Sequence, residues 1–254
     1  MDKYKSPIKA KPLRNPGQSV EVKIQDIIWD KILYYYFITM MFSIFAMLEW
    51  IYWYLETPRS PWLFTIAALI TVIITIFKFI PAHKKIKKYR QGLDGERAVG
   101  QYLDGLKKYG FDIYHDIVFD GFNIDHVAIS TNGIFSIETK TYSKPIKGEA
   151  KLKYDGVTVE VNGYKAKSPI IQAKAASKTL QELLEQSCGK KFSVRSVLLF
   201  PGWFVEPQNK DSQKEVWALN PKGFQTFAQN QGEQLTNDDA KLASYHLSRH
   251  IRAT

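Results

Sequence analysis

The chain has 254 residues, with 35 Lys and Arg against 25 Asp and Glu, for a formal net charge of +10 at neutral pH. That length allows one or two domains with a full core, and the charge points to an anionic partner, either nucleic acid or an acidic membrane surface. A single cysteine, Cys188, excludes an intrachain disulfide and a cysteine-based zinc site.

Residues 1–22 are rich in Lys and Pro and read as disordered. Ile24, Ile27, Ile28 and Ile32 recur at helical spacing, which predicts a short interfacial helix over 23–31, at the end of a basic arm covering 1–31. From Ile32 to Leu48 seventeen residues pass without a charge, and a second apolar run, Trp62 to Ile80, holds only Lys78. At 1.5 Å per residue each run covers about 25 Å or more, enough with its flanks to cross a bilayer. Residues 32–80 are therefore expected to form a transmembrane hairpin. Trp50, Tyr52, Trp53, Tyr54 and Trp62 gather at its turn as an interfacial belt, and Glu49 and Lys78 lie where both can reach polar surroundings. The connector, 56–61, carries one basic residue, whereas the juxtamembrane linker, 81–91, contains the cationic run Lys84 to Arg90. The positive-inside rule then places both termini and the soluble domain in the cytoplasm, with a multi-pass anchor in the cell (inner) membrane. Lys84 to Arg90 becomes a candidate contact for anionic lipid.

Residues 92–254 read as an α/β domain. An amphipathic helix is expected over 93–109, stopped by Gly110, followed by strands over 111–119, 124–130 and 134–140. Asn132-Gly133 predicts a two-residue hairpin loop between the last two. A further hairpin is expected around Asp155-Gly156, between 151–154 and 157–161. Ser168-Pro169 then opens a helix, as N-cap and first-turn proline, that runs to about Ser187. Strands at 194–200 and 216–219 and helices near 221–229 and 237–251 complete the pattern.

Three Glu-x-Lys triplets occur, at Glu21, Glu138 and Glu149, and the triplet alone carries little information. The middle one lies on a predicted strand, so Glu138 and Lys140 share a face. With a loop at Asn132-Gly133, Thr131 faces Ile134, and Asp125 stands across from Lys140 and diagonal to Glu138. Diagonal neighbours are about 7–8 Å apart, a gap two carboxylates can close on one divalent ion. The surrounding strands are apolar, so these charges must either pair as a structural cluster or hold a metal. His126 has the opposite strand parity and reads as structural. His246 and His250 share a helix face without the glutamate a metalloprotease motif requires, and read as solvated. No Walker loop, Gly-x-Ser-x-Gly elbow or dinucleotide fingerprint is present in the sequence.

Gly95-Glu96, Ile124-Asp125-His126-Val127, Gly133-Ile134-Phe135, Ile137-Glu138-Thr139-Lys140 and Pro169-x-x-Gln172 follow the order and approximate spacing of the nuclease-related (NERD) domain. The chain resembles that family over about residues 92–205. The family is assigned to the PD-(D/E)xK nuclease superfamily, and its members often carry transmembrane segments. The resemblance implies an α/β fold with a restriction-endonuclease-like core, a mixed central sheet flanked by helices, here preceded by two transmembrane helices. It implies that Asp125 and Glu138 bind Mg²⁺ (or Mn²⁺), with the Thr139 backbone carbonyl as a third oxygen. Lys140 would stand by the attacking water or the scissile phosphate, Glu96 would be an extra ligand or water-positioning acid, and Gln172 would orient phosphate or water. Plainer roles stay open for two of them: Glu96 complementing a helix N-terminus, and Gln172 capping a helix. Ser168-Pro169 stands where the family frequently has Asn-Pro.

Two functions compete. One is a membrane-anchored, Mg²⁺-dependent nuclease acting on nucleic acid, DNA foremost, from the cytoplasmic side. The other is an inactive membrane-tethered module that binds nucleic acid or protein. A transporter has little support from two spans whose charges are interfacial. Residues 1–91 hold 14 Lys and Arg against 6 Asp and Glu, whereas 92–254 hold 21 against 19, so most of the excess flanks the spans. Within the soluble part, 138–195 hold twelve basic and six acidic residues, directly after the proposed metal site.

Overall fold

The computed structural model describes residues 11–57, 60–146 and 148–253. The chain divides into two compact units, one built from 19–91 and the other from the segment before it together with 92 onward. Residues 1–10 lie outside the described residues.

In the first unit, α1 (Gln18–Ile28) leads through a π-helical turn (Trp29–Leu33) into α2 (Tyr34–Tyr54), and α3 (Trp62–Asp104) begins after the connector. Helix α1 starts at Gln18, so residues 18–22, read from composition as disordered, are helical. Residues 81–91 lie inside α3, with Pro81 within the helix. Both helical stretches are long and apolar enough to cross a membrane, and only 6% of each apolar window is buried. Their facing surfaces are joined by hydroxyls. Thr39 Oγ1 and Thr75 Oγ1 are 2.7 Å apart, Thr39 Oγ1 donates to the Thr71 carbonyl at 3.2 Å, and Trp50 Nε1 donates to Thr65 Oγ1 at 3.0 Å. The pairs 39/75 and 50/65 make the helices antiparallel. Bonding across the pair gives these hydroxyls protein partners in place of water.

The second unit is organised by a five-stranded sheet. Its strands are β1 (Asp112–Val118), β2 (Asn123–Ser130), β3 (Gly133–Thr139), β7 (Val194–Leu199) and β9 (Val216–Leu219), and they lie side by side in that order. The first three are antiparallel neighbours, while β3, β7 and β9 run parallel. A smaller sheet is formed by β4 (Lys151–Tyr154), β5 (Val159–Val161), β6 (Tyr164–Ala166) and β8 (Phe204–Pro207), in the order β6-β5-β4-β8. The sequence pattern does not announce β8, which is short and held by parallel pairing to β4 across some fifty residues of chain. The three-residue β6, by contrast, follows β5 through an Asn162-Gly163 turn, a hairpin signal.

Helices cover both faces of the large sheet. Val99, Leu103 and Leu106, at the C-terminal end of α3 and in the 3₁₀ turn after it, pack with α5 (Pro221–Asn230) over Ala128, Phe135 and Ile137. On the other face α4 (Ser168–Cys188) and α6 (Asn237–Ala253) place Leu180, Leu184, Ala243 and Leu247 over Val127, Ile129 and Ile134. Gly110 adopts the left-handed conformation (φ 83°) and ends the helical run as the sequence predicts. Ser168 is the first residue of α4 and does not cap it; Lys167 occupies the capping position without a side-chain bond. His246 and His250 are half-buried rather than solvated, and His250 stacks on Phe119. The open edge of β9 is closed by side chains: Gln213 Nε2 donates to the Ala218 carbonyl at 3.0 Å, its Oε1 accepts from the Ala218 N–H at 2.8 Å, and the Tyr154 hydroxyl donates to the Val216 carbonyl at 3.0 Å.

The β2–β3 register differs from expectation by two residues. Ser130 pairs with Gly133, so the loop is Thr131-Asn132, and Gly133 (φ +138°) belongs to β3. The cause is tertiary. The Thr131 carbonyl accepts from the Gln234 and Leu235 N–H groups at 2.8 and 3.0 Å, and Asn132 Nδ2 donates to the Gly232 carbonyl at 3.2 Å. These contacts hold the turn where Asn-Gly propensity alone would not put it. A shift of two preserves facing but changes partners: Asp125 is now aligned with Glu138, and diagonal to Lys140.

On the α3 side of β1 and β2, His115 and His126 are both buried, with their Nδ1 atoms 2.8 Å apart. Burial drives both pKa values below the ordinary histidine value, His126 much further and with added repulsion from His115; Asp104 partly offsets the effect at His115. Both rings are thus neutral when folded, whereas the unfolded chain takes up protons below about pH 6.5. Stability is fully present above that pH and is lost as the pH falls toward the folded-state values. Thermal unfolding of the detergent-solubilised protein should therefore shift down between pH 7.5 and 5.5, and His126→Asn should flatten that dependence.

Candidate active site

The C-terminal end of β3 lies in the middle of the large sheet, with β2 on one side and β7 on the other. The Lys140 N–H donates to the Leu199 carbonyl at 2.9 Å, extending the parallel ladder, while the Thr139 N–H turns the opposite way and donates to Asp125 Oδ2 at 2.7 Å. The β2–β3 backbone ladder stops at His126 and Ile137, and the Asp125 carboxylate takes over as acceptor. In an extended strand the N–H and C=O of one residue point the same way, so the Thr139 carbonyl also faces the Asp125 side.

Glu138 and Lys140 project side by side, with Nζ and Oε1 at 2.7 Å and side-chain exposures of 15% and 23%. Lys140 Nζ also donates to Gln172 Oε1, near the start of α4, at 2.9 Å. An ammonium carries three donors, so one remains for a further acceptor. Burial disfavours the Lys140 charge, but Glu138 beside it, then Asp125, hold its pKa above the ordinary lysine value.

Asp125 is under the opposite stress. Burial first, then the charges of Glu138 and Glu96, push its pKa well above the ordinary carboxylate value against the pull of the Thr139 N–H and Lys140. Glu96 comes from α3, where Gly95 touches the chain just beyond β3. A Cβ on Gly95 would lie 1.7 Å from Thr141 Oγ1, 2.9 Å from its Cβ and 3.2 Å from its Cγ2. The helix approaches this closely only because residue 95 has no side chain.

All five residues selected by sequence therefore meet: Asp125, Glu138, Lys140 and Gln172 in one linked group, and Glu96 near enough to act on Asp125 by charge. His126 lies outside it. Among the described residues no three His, Cys, Asp or Glu side chains are placed to hold one ion. An ion held here would draw on two carboxylates, those of Asp125 and Glu138, and the Thr139 carbonyl, with water making up the rest. Mg²⁺ keeps several waters and uses one or two carboxylates, so this set fits it. The crowding that raises the pKa of Asp125 is also what a cation would relieve.

Two residues near the site are not signalled by the sequence, Arg14 and Asp116. Asp116 has φ +50°, is buried, and receives Arg14 Nε and Nη2, each at 2.7 Å. Pro16-Gly17 is a turn signal, but nothing local names a partner 102 residues away. A cleft of about 930 Å³ opens beside the site, lined by Tyr102, Lys151, Trp203, Phe204 and Lys222 among others. It contains none of the five residues, and its Trp203 donates to the Tyr142 carbonyl, two residues beyond Lys140.

Residues 91–201 match the family model of the nuclease-related domain, NERD. This stretch of the chain is a nuclease-related domain with a nuclease-like α/β fold. An uncharacterized protein of Bacillus anthracis is 32% identical over 91 residues, covering 33% of this chain and 43% of the relative, so the similarity spans less than half of that protein. No solved structure matches the chain.

The Gly95 contact can be tested by size. Gly95→Ala should destabilise the protein by about 1–3 kcal/mol through overpacking, measured by denaturant unfolding in detergent. Adding Thr141→Gly should recover most of the loss, because all three clashing atoms belong to that side chain.

Proposed function

We propose that this nuclease-related domain is a membrane-anchored, divalent-metal-dependent nuclease that hydrolyses phosphodiester bonds, with DNA as the first substrate to test. The observation that carries the reading is the convergence of Asp125, Glu138, Lys140 and Gln172 at the end of β3, within the matched stretch.

Asp125, Glu138 and the Thr139 carbonyl would hold the ion. When bound, Mg²⁺ supplies a Lewis acid for a phosphate oxygen and lowers the pKa of a coordinated water. The chain's own residues do the rest. Lys140 is kept charged by Glu138 and directed by Gln172, so its remaining N–H is available to the attacking water or to the phosphate oxygen that gains charge. The Gln172 amide nitrogen can donate to phosphate, and Glu96 can orient water from the α3 side. Lys144, Lys153 and Lys167, in the basic stretch after β3, are available for backbone phosphates.

Membrane anchoring draws support from the two apolar helices, and a cytoplasmic site in the cell (inner) membrane from the basic residues flanking them. Residues 11–18 belong to the same compact unit as 92–253. That agrees with an even number of crossings, both termini on one side, and Lys84 to Arg90 near anionic headgroups.

A second reading, an inactive binding module, is favoured by one observation: Lys140 is already ion-paired with Glu138 at 2.7 Å. The two separate experimentally. Detergent-solubilised full-length protein should cleave DNA or RNA with Mg²⁺ or Mn²⁺ and not in chelator, and Asp125→Ala and Lys140→Ala should each lower the rate about 100-fold or more. Binding that survives chelation, with no cleavage under either ion, selects the module. Undiminished cleavage by both variants removes the site assignment.

A further inference from the structure

The β1–β2 register pairs His115 with His126 and Ile117 with Ile124, and omits the pair between them, Asp116 and Asp125. Two aspartates are thus aligned across neighbouring strands, one of them the candidate metal ligand. The alternation of faces also breaks here. Tyr114 and Ile117, and likewise Ile124 and Val127, point to the α4–α6 core although each pair is three residues apart. Like charges in register across a strand pair are destabilising, and a non-glycine residue at positive φ persists only where its surroundings hold it.

What holds Asp116 comes from the other end of the chain. Arg14 reaches Asp116 Oδ2 with Nε and Nη2, and Asn123 Nδ2 donates to Oδ1 at 3.2 Å. The Asp116 side chain is 4% exposed and that of Arg14 22%. The segment carrying Arg14 is seated in cut-outs of α3: a Cβ on Gly100 would lie 2.4 Å from Pro16 Cγ, and one on Gly17 would lie 2.3 Å from Leu93 Cδ1 and 3.2 Å from Glu96 Oε2. A short strap, residues 14–17, thus bridges Asp116 and the part of α3 that bears Glu96.

We propose that Arg14, although it precedes the first apolar helix, is a positioning residue of the candidate active site: by neutralising Asp116 it lets the β1–β2 pair present Asp125 to Glu138. Its effect passes through charge. Without the guanidinium the buried Asp116 carboxylate loses both contacts to its Oδ2 while keeping the Asn123 donor on Oδ1, and the strand pair must open or shift to admit water. Substituting Asp116 by asparagine removes that charge while keeping a residue that tolerates positive φ.

The proposal rests on the nuclease reading for its catalytic consequence, and the test separates the two. Full-length Arg14→Gln should lose about tenfold to hundredfold in kcat, as sub-ångström to ångström misplacement of a catalytic group does, with KM for DNA within about twofold of wild type. The double variant Arg14→Gln/Asp116→Asn should regain most of the loss. Amide hydrogen exchange over residues 112–118 and 123–127 should follow the same order, fast in the single variant and restored in the double. Wild-type kcat in Arg14→Gln overturns the proposal, as does a double variant no better than the single. If the wild-type protein cleaves nothing, the nuclease reading fails while exchange still decides this one: equal protection in all three proteins overturns it.

Discussion

Negative charge is concentrated where β1, β2 and β3 meet the C-terminal half of α3, and the nuclease-related unit is arranged to tolerate it. Asp125 and Glu138 sit in register on neighbouring strands, Glu96 approaches from the helix, and Asp116 is in register with Asp125 on the far side. Lys140 following β3, Arg14 from the N-terminal segment and the Thr139 N–H provide the compensation that the surrounding apolar strands cannot. Several local irregularities lie at this place: the end of the β2–β3 ladder, the positive φ at Asp116, the break in facing, and the glycine contact of α3. A site that concentrates carboxylates in low dielectric distorts its scaffold, and does so most where a cation would be drawn in.

Much of this is legible in the sequence, for identifiable reasons. The strands around Asp125 and Glu138 are short, apolar and β-branched, so their existence and the Glu138–Lys140 facing follow from period two. The register does not, because Asn132-Gly133 is a strong local signal that is outweighed by the 231–235 segment gripping Thr131 and Asn132. A shift of an even number of residues leaves the grouping of Asp125, Glu138 and Lys140 standing while exchanging which of them is aligned. The short strand β8 is set by long-range pairing to β4 and leaves no periodic trace. By contrast, β6 follows β5 through the Asn162-Gly163 turn and is too short to show a period, and the Gln213 edge cap reaches only five residues along the chain. Arg14 is invisible for a related reason: in composition it is one more cation in a Lys- and Pro-rich arm.

The net charge of +10 looks different once its parts are placed. Most of the excess belongs to residues 1–91, around two helices whose facing surfaces are linked by hydroxyls and an indole. One cation of that N-terminal share, Arg14, is used inside the α/β unit, on Asp116. Within the rest of the chain the local basic excess lies in the stretch after β3, where the chain turns from strand to the Lys-bearing small sheet and α4.

The strap also has a consequence for how the molecule is made. Arg14 and Asp116 are separated by 102 residues, and both apolar helices are encoded between them. During synthesis the strap leaves the ribosome before its seat exists, and the seat appears only after the helical pair has been translated. The entropy cost of closing a loop grows only slowly with its length, and the antiparallel pairing of the two helices brings the ends of this one nearer together. Final closure of the nuclease-related unit therefore comes late, after both helices have been translated and Asp116 has become available to Arg14.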